Sequence, residues 1–278
     1  MGHKHTGTFA AEKQAHSAKA LYRQVAQHLT GAILPLICLL LWQGTVDAGW
    51  INAHVLPPPS ELYETLIEQF QHGALWQHIL VSSLRVLLGF FIGAGLAILI
   101  GVAVGLSRQI EAFIDPSFQA LRAIPSLAWV PLLLLWLGID EPPKITLIAI
   151  GAFFPVYLNV ISGIKHVDRK LVEVGEIYGL TRYRLVTRIF IPASLPSLFT
   201  GLRTGLSLAW MFLVAAELIA ATKGLGYLLT DGRETGRADL VMIAIIILAV
   251  LGKISDGGLQ WLERRSLQWC DVYKAEGG

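Results

Sequence analysis

Charge is scarce in this chain. Only 15% of its 278 residues are Asp, Glu, Lys or Arg, against roughly 25% in an ordinary soluble domain. Hydrophobic residues make up 54%, and mean hydropathy is +0.58. Burying that much apolar surface in water needs a far larger protein, so lipid is the expected solvent. A net charge of +2 gives no electrostatic basis for binding nucleic acid. Cysteine is almost absent as well. Cys38 lies in an apolar run and Cys270 near the C-terminus, a placement that excludes a disulfide framework. Each reads as a packing residue or a bystander thiol.

Catalytic and nucleotide motifs are missing too. There is no Gly-x-x-x-x-Gly-Lys-Ser/Thr loop, since Gly252-Lys253 lacks both the preceding glycine and the following hydroxyl. Gly224-Leu225-Gly226 lacks the third glycine of a dinucleotide fingerprint and reads as a tight turn. No His-Glu-x-x-His or Cys-x-x-Cys is present, and His3 and His5 in the leader offer incidental metal affinity at most. No cofactor, no metal and no enzymatic activity are expected. Uphill transport by such a chain needs energy from outside.

What is present is long apolar runs. A span needs roughly 20 apolar residues, and six candidates occur: Gly31–Val46, Leu80–Leu106, Phe118–Gly138, Ile145–Ile164, Leu198–Ala221 and Leu240–Leu262. The first flows into Trp42 without a small-residue cleavage site, so it reads as a retained span and not a signal peptide. Pro125, Pro131 and Pro155 fall inside spans, which a packed bundle tolerates. Gly89/Gly93 and Gly101/Gly105 permit close helix approach. The expected fold is an all-α polytopic membrane protein.

The basic residues set its orientation. The leader holds Lys4, Lys13, Lys19 and Arg23, the segment 47–79 holds none, and the segment after the fourth span holds Lys165, Arg169, Lys170, Arg182, Arg184 and Arg188. Basic loops stay cytoplasmic, so both termini and that loop are expected inside. The organisation is then a leader (1–30), a first helix (31–50), an external connector (51–79), a membrane core (80–262) with a cytoplasmic loop at 165–197, and a tail (263–278). In the connector Ser60 can cap an amphipathic helix, with Leu62, Leu66 and Phe70 on one side and Glu61, Glu64 and Glu68 on another.

Ionisable residues inside spans are expensive and invite a functional reading. Glu217 lies about one turn from the external end of the fifth span. It can line a pathway or pair with Arg85, at the external end of the second. Arg203, near the cytoplasmic end of the fifth, can snorkel. Lys253 and Asp256 share a face of the sixth and can neutralise each other.

The cytoplasmic loop is a polar island with punctuation of its own. Asp168 can cap a helix running to about Tyr178. Gly179 suits the left-handed residue that ends it, with Leu180 as the apolar residue beyond. Thr181 can cap a second helix, which Pro192 is expected to stop. Glu173, Gly179, Ile189 and Pro192 stand at the spacing Glu-Ala-Ala, three residues, Gly, nine residues, Ile-x-Leu-Pro. That pattern resembles the cytoplasmic signature of binding-protein-dependent ABC importer permeases. Val174 and Gly175 replace the alanines, and Ile191 replaces leucine. Gly175 is expected to loosen the first helix by about 1 kcal/mol relative to alanine.

The likeness extends from about Leu56 to the C-terminus. The stretches 127–132, 136–139 and 214–226 look like the sulfonate/taurine/nitrate branch. Asp140-Glu141-x-x-Lys144-Ile145 and Phe154-Pro155-Val156-Tyr157 look closest to the aliphatic sulfonate permeases. The resemblance implies a type I permease with a five-helix core and one added N-terminal helix, in a bacterial inner membrane. It implies a second permease copy, cytoplasmic ABC ATPase subunits and a periplasmic solute-binding protein as partners. It also makes Glu173, Gly175, Gly179, Ile189 and Pro192 the ATPase-docking element. A stand-alone secondary carrier is the alternative from another class.

Overall fold

The computed structural model describes residues 33–269. The leader, with His3 and His5, and Cys270 in the tail lie outside the described residues. The chain divides into two compact units, 1–66 and 67–278. In the first, α1 (Ile33–Asp47) is apolar but shorter than a full crossing; the expected start of its span, at Gly31, lies outside the described residues. The Gln43 amide near its end donates to Asp47 at 3.0 Å and accepts from the Ser60 N–H at 3.2 Å. α2 (Pro59–Gln71) is the expected amphipathic helix, with Glu61 in its first turn, and the division between units falls inside it.

The second unit is built on four helices long and apolar enough to cross a bilayer. These are α3 (Ala74–Leu106), α6 (Glu141–Lys165), α9 (Ile191–Ala220) and α11 (Ala238–Ser266), the last two joined through the short α10 (Leu225–Glu234). The third expected span, Phe118–Gly138, is not one helix. It is α4 (Arg108–Ala123), a 3-10 turn (Ser126–Trp129) and α5 (Val130–Leu137), bent by 90°. Pro125 supplies the reason: it offers no N–H to continue α4 and forces Ile124 into an extended conformation, φ −76° and ψ 123°. Pro131 costs nothing, because it lies in the first turn of α5. Taken as one broken span, the bent pair brings the crossings among the described residues to five. The bend borders a cavity of ≈ 380 Å³ whose lining includes Phe118, Trp129, Phe153 and Phe154.

α6 is the hub, packed between α3 and α9. The buried core draws on Val86, Ala94 and Val104 from α3, Ile148, Val156 and Tyr157 from α6, and Leu206 and Leu213 from α9. The span glycines make this closeness possible. A Cβ on Gly93 would run into the main chain of Ala149, and one on Gly201 would come within 2.7 Å of Asn159 Cβ. Gly95, two residues along, has nothing within 4 Å. Gly93→Leu is therefore expected to force α3 and α6 apart, with a cost beyond the about 1–3 kcal/mol of ordinary overpacking, because backbone cannot rotate away. Gly95→Leu should be neutral. Thermal denaturation in detergent, followed by size-exclusion chromatography, checks the pair.

Candidate coupling loop and intramembrane charge clusters

After α6 the chain leaves the apolar core and builds a small rigid unit. The Asp168 carboxylate accepts from the Lys170 N–H at 2.9 Å and caps α7 (Arg169–Ile177). The helix ends in a local hydrogen-bond pattern: the Leu180 N–H donates to Gly175 O and the Gly179 N–H to Glu176 O. That closure needs a left-handed residue, and Gly179 supplies it with φ 69°. Thr181 precedes α8 (Arg182–Leu185), but its side chain makes no capping bond; its carbonyl accepts from the Leu185 N–H instead.

Pro192 does not stop the second helix. A π turn (Val186–Phe190) links α8 to α9, and Pro192 lies in the first turn of α9. The Ile191 N–H donates to Val186 O, five residues back. This wide turn falls just where the proline ring would otherwise meet a carbonyl of the preceding turn. The result is one helical run, Arg182–Ile219, of 38 residues.

Gly175 has a packing role as well as a propensity cost. A Cβ there would lie 2.6 Å from both Ile189 Cδ1 and Leu185 Cδ2. The bare glycine lets α7 rest on the start of the long run, bringing Gly175 and Ile189 together. Glu173 is exposed and accepts from Arg169 Nε at 2.8 Å. The tip is strongly apolar for a polar loop: Ile177 is 84%, Tyr178 81% and Tyr183 77% exposed. Exposed aromatic and aliphatic side chains in a loop that also carries Lys170, Arg182 and Arg184 have the make-up of a protein interface.

At the opposite end of α9 lies a buried cluster of charge. Glu217 and Arg85 have side chains 0% and 5% exposed, and Arg85 Nη1 donates to Glu217 at 2.7 Å. The same nitrogen donates to Lys223 O at 2.6 Å, and Nε and Nη2 fork onto Glu141 at 2.6 and 2.5 Å. Glu217 also accepts from the Ser82 hydroxyl and the Gly226 N–H, each at 2.7 Å. Ser82 accepts from the Leu225 N–H at 2.8 Å, and His78 Nδ1 from the Gly224 N–H at 2.9 Å. This cluster ties α3, the start of α6 and the 221–226 loop to the end of α9. Glu141, Ser82 and His78 were not expected from sequence. Ser82 and His78 precede Arg85 by three and seven residues, a helical face that names them once Arg85 is chosen.

Arg203 finds acidic partners on α11. Its Nε and Nη2 donate to Asp256 at 2.8 and 3.1 Å, and Nη1 to Glu263 at 3.4 Å. The oxygens of Asp256 are thus held across helices by Arg203, while Lys253, on its own helix, acts on the same carboxylate through space.

Residues 89–268 match the family described as binding-protein-dependent transport system inner membrane component. The chain is 41% identical over 246 residues to the putative aliphatic sulfonates transport permease protein SsuC of Bacillus subtilis (strain 168), covering 88% of this chain and 89% of that one. It is 34% identical to the taurine transport system permease protein TauC of Escherichia coli (strain K12), covering 92% and 96%. Among solved structures it is similar to a chain of the MetNI methionine ABC transporter in an inward-facing conformation. The TM-score is 0.61 at 17% identity, over 70% of this chain and 97% of that one, a likeness of fold.

Proposed function

The chain belongs to the binding-protein-dependent transport system inner membrane components, as a permease subunit of an ABC importer and not an enzyme, and from that premise we propose that it carries an aliphatic sulfonate into the cell. The observation behind the cargo is the higher identity to the SsuC permease, 41% against 34% for TauC. Membership implies ATPase and solute-binding partners. In this reading two copies of the permease pair in the membrane. Both termini and the loop 165–197 face the ATPase side, where the basic residues concentrate.

The loop is the docking element. Glu173, Gly175, Gly179, Ile189 and Pro192 shape it, and Ile177, Tyr178 and Tyr183 are the side chains that enter the ATPase. Closure of the ATPase pair on ATP must push on something rigid. α7 rests on Leu185 and Ile189, and the helical run carries the push without a break over about 57 Å. Glu217, Arg85 and the loop they hold lie at its far end.

The test is reconstitution of the permease in liposomes with its ATPase and binding protein. ATP-dependent uptake of ethanesulfonate, weakly competed by taurine and not by nitrate, is the expected result. Preference for taurine or nitrate would move the cargo assignment, and uptake without any ATPase would return the chain to the secondary carriers. Within this assay Tyr178→Asp with Tyr183→Asp is expected to cut ATPase co-purification about tenfold or more, since exposed aromatics at an interface centre each carry about 2 kcal/mol. Insertion should be unaffected.

A further inference from the structure

Arg122 is a charge in the middle of the helix bundle with nothing to hold it. It lies in the last turn of α4, just before the break at Pro125. Leu121, its neighbour, lines the cavity at the bend together with Ile92 and Leu96 of α3 and Ala149 and Phe153 of α6. Those residues lie near the midpoints of α3 and α6. Arg122 is therefore about 15 Å from either edge of the hydrocarbon layer, farther than its side chain reaches by snorkelling. Arg85 and Arg203 each hold two carboxylates. Arg122 is exposed, and among the described residues it has no hydrogen bond, ion pair or electrostatic partner. A cation at that depth faces water or protein, not acyl chains.

α4 itself offers a wet face. Arg108, Glu111, Asp115, Gln119 and Arg122 recur every three or four residues and form one polar stripe along the helix. Its lower part is tied to α6: Lys165 pairs with Glu111, and the Tyr157 hydroxyl donates to Asp115 at 3.3 Å. Its upper part, Gln119 and Arg122, is exposed. The stripe thus climbs from the level of Lys165, the last residue of α6, to the middle of the bundle. A second copy of the chain does not supply the missing anion. Every Asp and Glu on α4 and on the four long spans already accepts from a partner in its own copy. The counter-ion of Arg122 is then a mobile one.

We propose that Arg122 binds the transported anion midway through the membrane: its guanidinium forks onto the negative head group of a small organic acid, a sulfonate in the proposed cargo, and the stripe on α4 is the wet face along which the anion leaves toward the ATPase side. This role rests on the importer reading, which requires a path for the anion through the membrane. A planar fork of N–H donors matches a head group that offers two or more oxygens.

The test uses the complete complex in liposomes with ethanesulfonate. Arg122→Met is expected to lower initial uptake about tenfold, the worth of one charge-assisted hydrogen bond. Arg122→Lys, which keeps the charge and loses the fork, should fall between Arg122→Met and wild type. ATPase association and the pairing of copies should not change, since Arg122 bonds to nothing in the fold. In a chain with Cys38→Ser and Cys270→Ser, Gln119→Cys, one turn below Arg122, should react with a charged, water-soluble thiol reagent. Ethanesulfonate should slow that reaction, and should fail to slow it once Arg122→Met is added. The inference is overturned if Arg122→Met transports like wild type, if Arg122→Met separates the two copies, or if Gln119→Cys does not react. If the wild-type complex takes up no ethanesulfonate, the cargo reading fails alone. Protection of Gln119→Cys by nitrate or taurine, dependent on Arg122, would then still carry the anion site, and protection by none of the three would end it.

Discussion

Glu217→Ala is expected to leave little folded permease in the membrane. The carboxylate is fully buried and accepts from Arg85, Ser82 and the Gly226 N–H. Truncation removes all three bonds at once. It leaves the Arg85 charge, itself 5% exposed, with only the half-exposed Glu141 to balance it. Breaking a buried pair from one side costs about 3–5 kcal/mol, a large share of the about 5–15 kcal/mol that holds an ordinary domain together. Ser82→Ala, which removes the bond donated to Glu217 and the one accepted from the Leu225 N–H, should cost less, about 1–3 kcal/mol. Glu141→Gln should also be mild, because Glu217 still holds the guanidinium. Melting temperature in detergent ranks the three. A Glu217→Ala protein that melts with wild type would mean the cluster does not hold the 221–226 loop in the membrane.

What could be read from the sequence was local. The end of α7 at Gly179 is a six-residue pattern, with every donor and acceptor inside it. The long spans follow from hydropathy over single helices. The misreadings lie where a local rule met a longer-range competitor. Pro125 and Pro192 look alike as prolines near apolar runs, yet one breaks a span and the other does not. The difference is the wide turn at Val186–Phe190, just before Pro192, which proline spacing alone does not reveal. Lys253 and Asp256 are correctly placed on one face by their spacing. Spacing alone, however, cannot show that Arg203, 53 residues earlier, brings a better-shaped partner across from α9. The Arg85–Glu217 contact spans 132 residues and was one of two readings. Its extension to Glu141 needs the start of α6 to be placed beside α3, which only packing determines. Gly175 shows the same limit in reverse: a helix-weakening residue by propensity is the one that lets α7 lie against Ile189.

Gly179→Pro should separate docking from membrane insertion. At φ 69° the wild-type backbone is outside what proline can adopt, since its ring holds φ near −65°. The substitution also deletes the N–H that donates to Glu176 O, one of the two bonds closing α7. Both losses act on the turn that presents Tyr178 between α7 and α8. Nothing lies within 4 Å of a Cβ at this position, so crowding at Cβ does not contribute and the backbone conformation and its hydrogen bond are what is tested. Gly179→Asn is the matching control, because asparagine visits the left-handed region at small cost. The expected result is that Gly179→Pro reaches the membrane at wild-type levels, since α9 and its core contacts begin beyond the turn. ATPase co-purification and ATP-driven uptake should fall together by about a hundredfold, for a turn worth some 3 kcal/mol. Gly179→Asn should keep both. Normal uptake by Gly179→Pro would take the push of ATP closure away from this loop and leave the 38-residue helical run without its load.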